Sequence, residues 1–244
     1  MRWQAIHQSC TVAGMTWHTL GSPYGTPDLL ALGMLAVSWF AIGWIIEHPP
    51  KARPSVSTLM VEFRKDWMRQ FVTRQPRIFD ATMIDSLRQG TAFFASACMI
   101  ALGGGVALMG NPAGLMNVTQ DFAPAGSSDG IEFRIIPLLL FLADALLKFI
   151  WSHRLFGYCA IMMAAVPNDP ADPLAYHRAA QAAEINITAA RNFNRGLRSV
   201  YFALASLAWL FGAVPLLVAT ALCLAVLIRR EFASESRAVL LRKP

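Results

Sequence analysis

Four long apolar runs, and the basic residues that avoid them, constrain this chain more than any other feature. The runs cover residues 28–46, 91–109, 135–150 and 199–228, and 20 of the 21 Lys and Arg residues lie outside them. A helix crossing a hydrocarbon core of about 30 Å needs about 20 predominantly apolar residues. Only helices satisfy their own backbone groups in lipid without closing a barrel. The pattern therefore predicts an all-α, polytopic integral membrane protein. Composition agrees: 55% of the residues are hydrophobic and 15% charged, against about 25% charged in an ordinary soluble domain.

The basic residues also state an orientation. Residues 48–90 hold eight, residues 153–198 hold five, and the tail after Ile228 holds five more; residues 1–27 hold Arg2 alone, and 111–134 hold Arg134 alone. Short Lys/Arg-rich segments stay on the cytoplasmic side. The last run decides the count of crossings. Its 30 residues would make a continuous helix about 45 Å long, longer than the bilayer needs. Gly212 and Pro215 sit near its middle and mark a turn or kink. With a turn there, five transmembrane helices result, and 18 basic residues lie inside with two outside. The alternative is four spans with the last one kinked, which puts the basic tail outside. The five-span reading predicts an inner-membrane protein with the N-terminus outside and the C-terminus cytoplasmic. Residues 1–27 are then an outer extension, 28–232 a helical transmembrane domain with a cytoplasmic layer (48–90 and 153–198), and 233–244 a basic cytoplasmic tail. No basic start followed by a compact apolar core marks a cleavable leader in residues 1–27.

The cytoplasmic layer has its own periodicity. Val56, Leu59, Met60, Phe63, Trp67 and Phe71 recur at helical spacing, with Glu62, Arg64, Lys65, Asp66 and Arg69 between them. That is an amphipathic helix, suited to the membrane interface or to packing on other cytoplasmic helices. Pro76 ends it, and a new helix from Arg77 is expected to run into the second span. Residues 177–198 form another amphipathic stretch, rich in Ala.

Three groups of residues are candidates for more than packing. Asp144 and Lys148 are the charges within a span, four residues apart and acid first, so they share a helix face and can pair. Intramembrane ionisable groups are costly and mark functional sites or self-neutralising pairs. Second, His153 and Arg154, then Arg191, Asn194, Arg195 and Arg198, then Arg229 and Arg230 all fall at the expected inner boundary. Together they are a candidate belt for an anionic lipid or phosphate, because the guanidinium fork matches phosphate oxygens; orientation anchors with local salt bridges are the structural alternative. Third, Gly103, Gly104 and Gly105 would let another helix approach closely.

No paired catalytic carboxylates, nucleophile elbow, phosphate loop or HExxH occurs, so no enzymatic activity is expected. His7, Cys10 and His18 match no standard zinc spacing, and Cys10, Cys98, Cys159 and Cys223 form no CxxC unit; neither a metal nor a cofactor is expected. The expected partners are the lipid bilayer and its anionic phospholipids, with other membrane-protein subunits or a second copy of the chain as further candidates. Nothing points to nucleic acid. Two functions remain open: an accessory or structural subunit of a membrane complex, and a small transporter or anionic-lipid-binding protein.

The runs KFIWSHRLFGY (148–158), NFNRGLR (192–198), RREF (229–232) and FFAS (93–96) resemble the membrane proteins grouped as domain of unknown function 599. The likeness covers roughly residues 28–240. It implies a bacterial integral membrane protein and supplies no catalytic residue. Its motifs coincide with the arginine belt.

Overall fold

The computed structural model describes residues 25–111 and 131–242. Residues 1–24, with His7, Cys10 and His18, lie outside the described residues. Among the described residues seven α-helices follow in order: α1 Thr26–Glu47, α2 Val56–Phe71, α3 Ile78–Met109, α4 Ile136–Ala164, α5 Pro173–Ser206, α6 Ala213–Phe232 and α7 Glu235–Leu240. Short 3-10 turns, Ile131–Ile135 and Leu207–Phe211, precede α4 and follow α5. No strand occurs among the described residues.

The helix starts are written in the sequence. Pro27 and Pro173 occupy the first turns of α1 and α5, where a missing N–H costs nothing. Ser55 caps α2 by accepting from Thr58 N, and Asp172 caps α5 by accepting from Leu174 N; each satisfies a donor that the helix leaves open. As expected, α3 begins just after Arg77 and runs on without a break. At 32 residues it is about 48 Å long, too long for a bilayer core alone.

That length makes room for two stacked cores that share α3, α4 and α5. One unites Met68 and Phe71 of α2, Ile84 of α3, Phe156 and Met163 of α4, and the alanines 175, 179, 182 and 183 of α5. Its outer surface mixes exposed charges such as Glu62, Asp66 and Arg69 with exposed Phe63, Ile78 and Ile161, and it is the polar-sheathed half of the two. The other unites Leu35 and Ile42 of α1, Phe149 of α4, Phe202 of α5 and Leu216 of α6, with Ala95 and Cys98 of α3 beside them. Its outer surface is apolar: Leu30, Phe40, Ile100, Leu147 and Leu222 all stand exposed, Ile100 at 77%. A soluble protein seldom presents such a continuous sheath. Three helical stretches, Thr26–Glu47, Ile78–Met109 and Ala213–Leu240, are long and apolar enough to cross a membrane.

The last apolar run is not one kinked helix. Gly212 adopts φ 115°, a conformation that side-chain-bearing residues avoid, and the chain reverses there. Arg230 donates to the Tyr201 hydroxyl, 29 residues back; a continuous helix would hold the two about 43 Å apart. The turn is pinned by Trp209, whose indole N–H donates to Asp28 Oδ1 at 2.7 Å and whose carbonyl accepts from Arg134 at 3.4 Å.

The glycine triplet also needs correcting. A Cβ on Gly105 would stand 2.6 Å from Leu139 Cδ2, whereas one on Gly103 or Gly104 would meet nothing within 4 Å. Only Gly105 lies at a helix contact. A second close approach is at Gly196, where a Cβ would fall 2.7 Å from one atom of the Phe149 ring and 3.0 Å from two more.

Candidate anion-binding cavity

Four helices surround a cavity of about 900 Å³: the end of α1, the first half of α2, the middle of α5 and the end of α6. Its apolar wall comes from Ile46, Val56, Leu59, Ile187, Ala190, Leu197 and Leu227, and its polar wall includes Arg64, Arg191, Asn194, Arg198 and Arg230 with Glu47 and Glu231. This is an amphipathic lining, and each charged group in it has a distinct state.

Glu47, the last residue of α1, is fully engaged. Arg195 Nε donates to its Oε1 at 2.8 Å, Arg195 Nη2 donates to Oε2, and Arg198 donates to Oε1 as well. A carboxylate bridging two guanidiniums ties α1 to α5. Glu231, at the end of α6, accepts from the backbone N–H of Ser57 at 3.1 Å and from its hydroxyl at 3.0 Å. It therefore sits at the first turn of α2, where open N–H groups favour negative charge. Asn194 donates to Ser57 Oγ at 3.5 Å. Both glutamates are thus spent inside the protein.

The arginines are not matched in the same way. Arg64 donates to Asn186 Oδ1, a neutral acceptor that is wholly buried. It forms no ion pair among the described residues. Burial pushes its pKa below the ordinary arginine value, opposed by a weaker contribution from Cys159. Burial in turn raises the Cys159 thiol to about 11, against lowering by Asn186 and Arg64. Arg191 is exposed at the cavity rim and likewise forms no ion pair among the described residues.

The predicted belt is therefore divided. Arg191, Asn194, Arg198 and Arg230 line the cavity, and Arg195 braces it through Glu47. His153 and Arg154 do not reach it. His153 Nδ1 lies 3.2 Å from both Thr91 Oγ1 and the Arg88 carbonyl, at the α3–α4 contact. Arg154 donates to the Tyr158 hydroxyl at 3.0 Å on the surface. Arg229 is exposed at the end of α6. One helix cannot aim consecutive residues the same way: Arg229 and Arg230 are about 100° apart around the axis.

The Asp144–Lys148 pair forms and has two further members. Lys148 Nζ donates to Asp144 Oδ2 at 2.6 Å, Ser199 Oγ donates to the same oxygen, and the Lys148 ammonium lies 5.0 Å from the centre of the Trp39 ring. The Trp39 indole N–H donates to Ser199 Oγ at 3.3 Å. Helices α1, α4 and α5 are thereby joined in the apolar-sheathed half. No cluster of three or more metal-ligating side chains occurs among the described residues.

The sequence reading missed Arg64, Glu47 and Asn186. The helical repeat sets Arg64 among the residues between the apolar positions of α2, yet it reaches Asn186 and the cavity while Phe63 stands 51% exposed. The signal for Glu47 was present: a lone acid at the end of an apolar run, followed by segments dense in arginine, invites pairing.

A family model described as "Protein of unknown function, DUF599" matches residues 30–236. The chain belongs to this family. The match takes in all four cavity-forming helices, leaving aside the first residues of α1. No curated protein and no solved structure matches the chain, so the family brings no activity with it.

Proposed function

We propose that this member of the DUF599 family is a five-span protein of the inner membrane that binds an anionic amphiphile in its arginine-lined cavity, as a small transporter or lipid-binding protein. One observation carries the reading: the cavity joins an apolar wall to guanidiniums whose charge the nearby carboxylates do not balance. Glu47, Glu62 and Glu231 face Arg64, Arg191, Arg195, Arg198 and Arg230, and Glu62 is paired with Lys65, leaving excess positive charge beside apolar surface. A ligand with an anionic head and an aliphatic body complements both. The hairpin at Gly212 supports the topology, because it returns the basic tail to the side of residues 48–90 and so to the cytoplasm by the positive-inside rule.

The test is purification in mild detergent followed by mass analysis of retained lipid. Stoichiometric anionic lipid is expected on the natural protein. Its loss is expected from Ala190→Phe, which fills the cavity without altering charge. Retention unaffected by that substitution would reject the site. A stoichiometric protein partner with no retained lipid would favour the accessory-subunit function instead. For topology, Ser236→Cys in a variant lacking the native cysteines should resist an impermeant thiol reagent applied to intact cells; efficient labelling would place the tail outside.

A further inference from the structure

We infer that Arg64 is the phosphate-recognising residue of the cavity and that the ligand's head is a phosphate monoester. This rests on the reading of the cavity as an anion site and goes further by naming the headgroup.

The argument starts from what holds Arg64. Asn186 is fully buried, and its amide is fixed at both ends: Oδ1 accepts from Arg64, and Nδ2 lies 3.7 Å from Cys159 Sγ. The guanidinium is thus clamped in a desolvated position by a neutral group. A guanidinium has five N–H donors, and one is committed to Asn186. The same chain shows the alternative a few residues away, where Arg195 and Arg198 are neutralised by Glu47. At Arg64 an amide stands where a carboxylate of nearly the same shape would fit. Desolvating an unpaired charge is costly, so the counter-charge is expected from a ligand.

The charge sets the class. With Glu62 paired to Lys65 at 3.3 Å, five arginines against the two remaining glutamates leave three positive charges around the cavity. A phosphate monoester carries close to two negative charges at neutral pH and three strong acceptor oxygens. A phosphodiester carries one charge. Planar forks such as Arg64 and Arg191 engage phosphate oxygens in pairs. The monoester is the better match in charge and in acceptors.

The experiment uses the full chain in phosphatidylcholine nanodiscs, with dilauroyl phosphatidic acid as the monoester, dilauroyl phosphatidylglycerol as the diester, and inorganic phosphate as the free anion. Phosphatidic acid should bind at least tenfold more tightly than phosphatidylglycerol. Arg64→Gln should bring that ratio to within twofold of unity while phosphatidylglycerol binding stays within about threefold of its original value. Asn186→Asp guards against a misfolded variant. It gives Arg64 an internal carboxylate, so it should raise the melting temperature and still weaken phosphatidic acid binding at least tenfold. Competition by inorganic phosphate at equal affinity would support the site and assign it to the free ion; preference for phosphatidic acid assigns it to a lipid. Equal binding of the two lipids, or unchanged preference in both variants, overturns the inference and leaves the amphiphile site standing. Failure of every anion to bind the natural protein overturns both.

Discussion

The two cores of this molecule are built on the same three helices and are held together by different means. In the polar-sheathed half, water surrounds the bundle and burial of Met68, Phe71, Phe156 and Met163 supplies cohesion through the hydrophobic effect. Polar groups there reach across elements: Trp67 donates to Asp80 at 2.6 Å, Ser152 to the Ala189 carbonyl at 2.7 Å, and Arg77 to the Val166 and Pro167 carbonyls at 2.9 and 2.8 Å. The apolar-sheathed half is compatible with a membrane; against lipid as apolar as its core, helix association would depend on close packing and a few polar links. Ser206 and Thr220 bond back to their own helices. Cross-helix cohesion comes from the Asp144 network, from the Trp209–Asp28 and Glu47–Arg198 links and from Phe149, seated on Gly196. The same residue types therefore differ in consequence according to what lies outside the bundle.

The sharpest way to break this contrast is at Asp144. Asp144 and Lys148 are about a quarter to a third exposed, so removing one member should cost up to about 3 kcal/mol, the low end for a buried pair, while replacing both with apolar residues is often nearly neutral. Asp144→Leu should lower the folded yield severely, and Asp144→Leu with Lys148→Leu should recover most of it. A double variant no better than the single would show that Ser199 and Trp39, not Lys148, carry the link. In the polar-sheathed half the matching test is Asp80→Ala. Asp80 is wholly buried and paired with Arg74, but Arg74 is partly exposed and can rehydrate. The loss should be about 1–3 kcal/mol, read in denaturant titration of a detergent-solubilised sample.

Packing gives the next scale. Gly196→Ala presses on a Phe149 ring confined between Phe94 and Phe193, with ring centres 5.4 and 5.5 Å away. It should cost about 1–3 kcal/mol. Gly105→Ala meets only the mobile end of Leu139 and should cost less. Gly103→Ala and Gly104→Ala meet nothing and should stabilise, by up to about 1 kcal/mol each from helix propensity. Equal effects at all four would show that close approach does not hold the apolar-sheathed half. The smallest effect concerns Cys159. With its thiol raised to about 11 by burial, thiolate is scarce at pH 8 and alkylation of the folded protein should be far slower than of a free thiol. Because the folded value lies above the ordinary one, the unfolded thiol ionises first as pH climbs past about 9. Stability from this group should therefore be constant below that pH and decline up to about 11. Rapid labelling at pH 8 would show that the polar-sheathed core opens.

Much of this arrangement is legible in the sequence, and the gaps have physical causes. Apolar runs and caps locate α1, α3 and α6 closely, because length and Pro, Ser and Asp signals act locally. The hairpin at Gly212 follows from excess length together with charge. Asp144 and Lys148 are found because their spacing is a helix turn. The cavity is another matter. Its charge state depends on Glu47 meeting residues about 150 positions away, and no local pattern encodes that meeting. Arg64 lies at the boundary between the two faces of α2, where periodicity leaves orientation undecided. Gly103 and Gly104 mislead for the opposite reason: small residues permit close approach without requiring it, whereas Gly196, isolated among larger residues, sits against the Phe149 ring.

Arg198 and Ser199 are consecutive on α5, one pairing with Glu47 at the cavity and the other with Asp144 inside the apolar half. About 100° of helical rotation separates their side chains, and no joint lies between them. A helix behaves here as a crankshaft: α5 cannot swivel or slide to suit one partner without displacing the other. Any movement of α5 that shifts Arg198 at the cavity is therefore transmitted to Ser199 and to the Asp144–Lys148 pair.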